Sequence, residues 1–164
     1  MRLGILCAFL LMTALVTAIE STENMVFTDI SDHYEAIRQG LIEDSTEGVA
    51  EHTEAISIAA RDLEQDFNAS AAGVSSDEAA AVKALLPEIV DRASRVAVAE
   101  NIEDIRTEFA ELTKPLVRWH EMVKGPRPVV AYCPMVKNAW LQPDEAIGNP
   151  YAPYMLHCGE VVQR

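Results

Sequence analysis

The chain has 164 residues, 49% of them hydrophobic, and its 13 basic residues stand against 26 acidic ones, which gives a net charge of −13. This length allows one compact domain with its own core. The charge argues against nucleic acid as a partner, because phosphate binding needs a basic footprint and the sequence has no cluster of Lys or Arg.

The N-terminus has the pattern of a secretory signal peptide. Arg2 precedes an apolar run from Leu3 to Ala18 that ends in the small-residue sequence Val16-Thr17-Ala18. The run is short for a membrane span, which needs about 20 residues. We therefore predict that residues 1–18 are cleaved, that the mature chain has no membrane span, and that the protein is exported to the periplasm. An uncleaved membrane anchor is the alternative.

After a flexible segment predicted at 19–27, residues 28–124 show four apolar stripes with helical spacing. Helices are predicted over about 30–43 and 45–69, with Asp44 and Glu47 as a capping box for the second. A third follows Gly73 and a fourth begins near Asn101; prolines inside both should bend them. The predicted inward residues are Ile30, Tyr34, Ile37, Leu41, Val49, Ile56, Ala59, Ala60, Leu63, Phe67, Ala79, Val82, Leu86, Ile89, Ala93, Val96, Ile102, Ile105, Phe109, Leu112, Leu116, Trp119 and Val123. One stripe per helix and short links predict an all-α fold, an antiparallel four-helix bundle.

The helical periodicity ends at residue 125, and six of the eight prolines follow it. Residues 125–164 are predicted to form an irregular proline-rich extension of the same domain, fixed to the bundle by Trp140 and Tyr151. Within it, residues 143–148 are predicted to form one helical turn. Asn149-Pro150-Tyr151 is predicted to form a turn in which the asparagine side chain bonds the backbone.

This extension also contains donors suited to a soft metal. Cys133 precedes a proline, which favours an extended backbone, so Cys133 and Met135 point to the same side. Met155 and Cys158 repeat the two donor types, and His157 is an optional further ligand. Thiolates and thioethers suit copper(I). The alternative is a disulfide between the two cysteines, since an oxidising compartment pairs free thiols.

The remaining residues offer no catalytic motif. His33, His52 and His120 lie on different predicted helices, at spacings that indicate no shared site. The sequence contains no Gly-x-Ser-x-Gly, phosphate loop, His-Glu-x-x-His or Cys-x-x-Cys. We therefore predict that the protein is not an enzyme.

Four short motifs in this extension resemble a small domain of unknown function from Gram-negative bacteria. They are Cys-Pro-Met at 133–135, Trp-Leu-Gln at 140–142, Asn-Pro-Tyr at 149–151 and Met-Leu-x-Cys-Gly-Glu at 155–160. That domain occurs alone in exported proteins and fused to periplasmic adaptor subunits of copper and silver efflux pumps. The family has an aromatic residue and a glycine where this chain has Ala152-Pro153-Tyr154, one residue shorter.

The resemblance implies a periplasmic protein that binds a soft metal, copper(I), and serves heavy-metal tolerance. Its metal ligands would be Cys133, Met135, Met155 and Cys158, with His157 as the substitute, and its partner an adaptor or another efflux component. The second hypothesis is a disulfide-stapled helical interaction module of the cell envelope that holds no metal.

Overall fold

The computed structural model describes residues 24–164. The predicted signal peptide, 1–18, and the start of the predicted flexible segment lie outside this range. The helices are α1 (Met25–Ile42), α2 (Val49–Gln65), α3 (Ala79–Val98) and α4 (Ile102–His120); the strands are β1 (Val129–Cys133), β2 (Asn138–Gln142) and β3 (Glu160–Gln163). Within the described range, none of the helices combines the length and the apolar character that a membrane crossing requires.

The prediction of four helices is confirmed, and each helix packs against the next along the chain. The first and last helices also meet through aromatic side chains. Phe27 at the start of α1 lies 5.1 Å from Trp119 at the end of α4, and Tyr34 further along α1 lies 4.4 Å from Phe109, between ring centroids. Residue numbers rise along α1 from the first pair to the second and fall along α4, so α1 and α4 are antiparallel.

The predicted apolar stripes are the faces that the helices bury. Except for four half-buried members, every inward residue named above has less than 5% of its surface exposed. The four are Ala59, Phe67, Ala79 and Ile102. Helical periodicity therefore identified most of the helical core, because a spacing of three and four residues places side chains on one face of a helix; Phe27 and Leu85 are buried members that it missed.

Helix boundaries differ from the prediction at the start of the chain. α1 begins at Met25, so residues 25–27 belong to the helix and not to a flexible segment. α2 begins only after Gly48, whose φ of 74° suits glycine. The predicted capping box of Asp44 and Glu47 is wrong, because the Asp44 carboxylate instead binds Arg106 at 2.7 Å.

The start of α4 and the prolines inside α3 and α4 agree with the prediction. Asn101 caps α4, and its side-chain oxygen accepts hydrogen bonds from the backbone N–H groups of Glu103 and Asp104 at 3.1 and 3.0 Å. Pro87 and Pro115 lie inside α3 and α4 as predicted. α2 ends at Gln65 rather than near residue 69, and α3 starts at Ala79, later than expected after Gly73, because residues 66–78 form turns and irregular segments rather than helix.

The C-terminal extension contains a small antiparallel sheet, so the fold is mostly helical rather than all-α, and the extension is not irregular throughout as predicted. β1 lies between β2 and β3. Val130 and Leu141 pair across β1 and β2 and join the helical core. Ala131, Cys133 and Trp140 form a second, smaller core. β2 packs on α4 and α1, which places the sheet against the helices. The predicted helical turn at 143–148 is also absent from the structure, which has bends there.

Two buried arginines hold the extension on the helices. Arg38 on α1 and Arg106 on α4 are both 4% exposed. Arg38 donates to the backbone oxygen of Gly148 at 2.5 Å, and Arg106 donates to that of Pro150 at 3.0 Å. A second donor of Arg106 reaches the last turn of α1, at the oxygen of Leu41, 2.9 Å away. Such charge-assisted hydrogen bonds are stronger than neutral ones, so these contacts fix residues 148–150 in place.

Candidate functional site

The two cysteines of the extension meet at one end of the sheet. Cys133 ends β1, and Cys158 lies just before β3; the pairing of Tyr132 with Glu160 brings the two opposite each other. They form a disulfide with Cα atoms 5.6 Å apart, a usual separation for this bond. The Cys133 side chain is fully buried and Cys158 is half-buried. The expectation that these cysteines act together is confirmed, and the structure has them bonded to each other.

The other predicted metal ligands lie in the turn after β1 and in the segment just before Cys158. Met135 lies in the turn between β1 and β2 and is 70% exposed. Met155 ends the short 3-10 helix Pro153–Met155, and His157 is exposed, with its Nδ1 3.2 Å from the backbone oxygen of Ile147. Across residues 24–164, no three His, Cys, Asp or Glu side chains converge as a metal site. Because thiolate is the form of cysteine that ligates metals, Cys133 and Cys158 would need reduction first.

The predicted turn at Asn149 is confirmed and supports the disulfide. The Asn149 side-chain oxygen accepts from the N–H of Tyr151 at 2.9 Å, and its amide nitrogen donates to the backbone oxygen of Cys158 at 3.2 Å. Its own N–H donates to the oxygen of Leu156 at 2.8 Å. Asn149 is fully buried, so all three bonds are shielded from water. The turn therefore ties residues 156–158 to the chain that precedes them.

Gly159 is needed for the close approach of the segment after Cys158 to Trp140 on β2. Its φ is 150°, and a Cβ built there would lie 2.6 Å from a ring carbon of Trp140. No side chain fits at that distance, which makes this glycine part of the packing beside Cys158. The Trp140 Nε1–H donates to the Gln142 side-chain oxygen at 2.7 Å, so the buried indole is satisfied within β2.

A buried hydroxyl chain joins the sheet to α1 and α4. Thr113 Oγ1 lies 2.7 Å from the Tyr34 hydroxyl and 3.2 Å from that of Tyr151, which donates to the backbone oxygen of Ala139 at 2.9 Å. Burial raises the pKa of both tyrosines above the usual range, so both phenols stay protonated near neutral pH. The prediction that Tyr151 fixes the extension to the helices is confirmed, and its partners there are Phe109 and Thr113.

A large cleft lies between α1, the end of α2 and residues 124–128, with a volume of about 1270 Å³. Buried apolar side chains, among them Leu63 and Leu141, line its floor. Its lining includes five acidic side chains, Asp29, Asp32, Glu35, Asp62 and Asp66, and two basic ones, Lys124 and Arg127. The cleft therefore combines an apolar floor with an acidic rim.

The charges of this cleft do not cancel. In the described part of the chain, Glu35 is the one acid of the rim that forms an ion pair, with Arg38. Lys124 lies 3.1 Å from a Glu78 oxygen, whereas Arg127 donates to the backbone oxygen of Val123 at 2.5 Å and keeps its charge, so four aspartates stand against one arginine. The four aspartates consequently leave a negative field over an apolar surface, which favours a positively charged ligand.

Sequence reasoning missed three features of this structure. Arg38 and Arg106 stand beside apolar stripe positions, four residues after Tyr34 and Ile102, and that position on a helix face was the available signal. The cleft could not be predicted from the sequence, because the residues that line it come from distant parts of the chain. The third feature is a pair of histidines, His33 and His52, which the structure brings together although their sequence spacing indicated no shared site.

Comparison of the chain with protein-family models, with curated proteins and with solved structures finds no match.

Proposed function

We propose that this chain is a disulfide-stapled helical interaction module of the cell envelope, with a non-catalytic role. The observation that carries the proposal is the bond between Cys133 and Cys158, which uses both cysteines of the predicted mature chain. Structural disulfides persist in oxidising compartments such as the periplasm. The predicted signal peptide agrees with that location. The resemblance of the motifs to an exported domain agrees with it as well.

The cleft on α1 is the surface we propose for the partner. Its apolar floor and its aspartates, which have no ion-pair partner among residues 24–164, suit a protein segment that carries Lys or Arg next to apolar side chains. The predicted mature N-terminus is a poor occupant, because residues 19–23 carry Glu20 and Glu23, whose charge repeats that of the rim. A periplasmic adaptor or another envelope protein with an exposed basic segment is the partner class that fits.

Charge reversal in the cleft tests this surface. The probe is a short synthetic peptide of lysines and leucines with a fluorescent label, and the readout is its anisotropy on titration with the oxidised protein at low salt. We expect the double variant Asp32→Lys with Asp62→Lys to bind about tenfold more weakly than the parent, because two favourable charges become repulsive. The loss should shrink as salt is added, since exposed charges are screened.

The matched control reverses two acids outside the cleft. Glu51 and Glu54 lie on α2, are exposed, and do not line the cleft, so Glu51→Lys with Glu54→Lys changes the net charge equally. Peptide affinity should stay within about twofold of the parent in this control, because the changed charges lie away from the binding surface. Equal loss in both double variants would show attraction to net charge alone, and the cleft would be dismissed as the docking surface.

A second candidate function is soft-metal binding, with copper(I) as the ion, in heavy-metal tolerance or efflux. The observation that favours it is the exposure of Met135, whose thioether is available to solvent two residues from Cys133. Packing does not explain a methionine in that position. After reduction, Cys133 and Cys158 would supply thiolates, and Met155 and His157 would be the further ligands from the same extension.

The two candidates differ in what Met135 does. We expect Met135→Leu, which keeps the side-chain volume, to leave the copper(I) affinity of the reduced protein unchanged if the chain is an interaction module. The measurement is an anaerobic competition titration with a copper(I) chelator. The matched control is Met25→Leu, since Met25 is also exposed, at 57%, and lies on α1. A loss of about tenfold or more that is confined to Met135→Leu would favour the soft-metal function instead.

A further inference from the structure

Two histidines from neighbouring helices lie side by side on the surface of the helical layer. His33 belongs to α1 and His52 to α2, and their Nδ1 atoms are 3.0 Å apart. The ring centroids are separated by 5.3 Å, with the ring planes tilted by 41°. Both side chains are half-buried, so solvent reaches the pair. Neither imidazole has another hydrogen-bond partner among residues 24–164.

The other two histidines are engaged differently. His120 is fully buried and its Nε2 lies 2.7 Å from the backbone oxygen of Pro128, while Nδ1 of His157 faces the oxygen of Ile147. Both therefore have a main-chain partner. His33 and His52 are the pair whose ring nitrogens face each other, and at 3.0 Å at most one proton fits between the two nitrogens.

The separation of these nitrogens matches that of two ligands on one metal ion. Two nitrogens at a metal–nitrogen distance of about 2.0–2.1 Å lie about 2.9 Å apart at a right angle and about 3.3 Å apart at the tetrahedral angle. The observed 3.0 Å falls between these values. An ion bound to both nitrogens would lie to one side of the line that joins them, so the two rings would turn toward it while α1 and α2 keep their positions.

We propose that His33 and His52 form a binding site for divalent ions of the nickel, copper and zinc class. Neutral imidazole is a ligand that suits these ions, and carboxylate-preferring magnesium is not expected to compete. Two protein ligands leave the remaining coordination positions to water. Asp29 stands one helical turn before His33 and lines the acidic cleft, so its carboxylate draws cations toward this edge of the helices.

This site is separate from Cys133 and Cys158 and does not rest on the proposed function. In the oxidised protein both cysteine sulfurs are bonded to each other, so thiolates contribute nothing to binding of a divalent ion. A titration of the oxidised chain therefore reports on imidazole ligands, and its outcome leaves the role of the disulfide untouched.

Nickel(II) is the probe, because it binds imidazole without redox chemistry at the disulfide. In calorimetric titrations of the oxidised mature chain, His33→Gln and His52→Gln should each weaken nickel binding by about tenfold or more, since each removes one of two ligands. His157→Gln is the matched control, an exposed histidine elsewhere, and should stay within about twofold of the parent. Magnesium should give no measurable heat.

A measurement on the unaltered protein guards against variants that fold poorly. Nickel is paramagnetic, so substoichiometric amounts should broaden the ring-proton NMR signals of His33 and His52 while those of His120 and His157 stay sharp. Unchanged nickel affinity in either His33→Gln or His52→Gln would overturn the proposal. Broadening that appears first at His157 would overturn it as well.

Discussion

Replacing Phe109 with Ala should lower the free energy of unfolding by about 3 to 5 kcal/mol, as expected when a large aromatic side chain leaves a cavity in a close-packed core. Phe109 on α4 is fully buried and stacks on Tyr34 of α1, with ring centroids 4.4 Å apart. Its ring also lies 6.2 Å from that of Tyr151 in the extension. The Phe109 side chain thus contacts α1 and the C-terminal extension from its place on α4. Chemical unfolding followed by circular dichroism measures the effect.

The control for this prediction is Ile58→Ala. Ile58 lies on α2 and is 47% exposed, so its truncation removes apolar surface that water already reaches. The expected cost is below about 1 kcal/mol. A Phe109→Ala protein as stable as the Ile58→Ala protein would show that the aromatic contacts between α1, α4 and the extension do not form.

Removal of the disulfide should have an effect of similar size. Cys133 and Cys158 are 25 residues apart in sequence, and on the loop-entropy estimate a bond closing such a loop stabilises by about 3 to 4 kcal/mol. The double variant Cys133→Ala with Cys158→Ala should lose that amount relative to the oxidised parent. Alanine is the replacement of choice, because a serine hydroxyl at the fully buried position 133 would add a desolvation cost.

A reductant distinguishes the stabilising effect of the disulfide bond from that of the cysteine side chains. In denaturant titrations, dithiothreitol should bring the parent close to the stability of the double-alanine variant and leave the variant itself unchanged. If the oxidised parent and the variant unfolded at the same denaturant concentration, the disulfide would not contribute to the stability of the domain.

The helices were predictable because their signal is local and repeated. Ile30, Tyr34, Ile37 and Leu41 mark one face over three turns, and the same spacing recurs in the three helices that follow. The start of α4 near Asn101 was predictable for the same reason. The starts of α1 at Met25 and of α2 at Val49 were not predictable, because tertiary contacts decide where these helices begin, as when Asp44 binds Arg106 rather than capping α2.

The sheet escaped prediction because its strands are short and lack alternation. β1 reads Val-Val-Ala-Tyr-Cys, and both of its faces are covered: Val130 joins the helical core, while Ala131 and Cys133 join the second core. A strand buried on both faces shows no period of two. The available signal was the set of β-branched and aromatic residues between Pro128 and Pro134, which favours a short strand.

The sequence allowed the pairing of the two cysteines to be predicted, but not the positions of the residues around them. The two cysteines and the Asn149 turn follow from residue chemistry alone. The exposure of Met135 depends on the tight turn between β1 and β2, in which the Lys137 N–H donates to the backbone oxygen of Cys133 at 2.8 Å. The contact of His33 with His52 depends on how α1 and α2 align, which periodicity within each helix does not determine.

The redox state of Cys133 and Cys158 in the cell tests the central claim most directly. Cells are quenched with acid, free thiols are blocked with N-ethylmaleimide without any reductant, and the peptides that contain the two cysteines are analysed by mass spectrometry. An interaction module stapled in the periplasm predicts that the two peptides are recovered linked and without label. Recovery of both peptides with N-ethylmaleimide on each cysteine would contradict it, because the thiols would then be free in the compartment where the protein works.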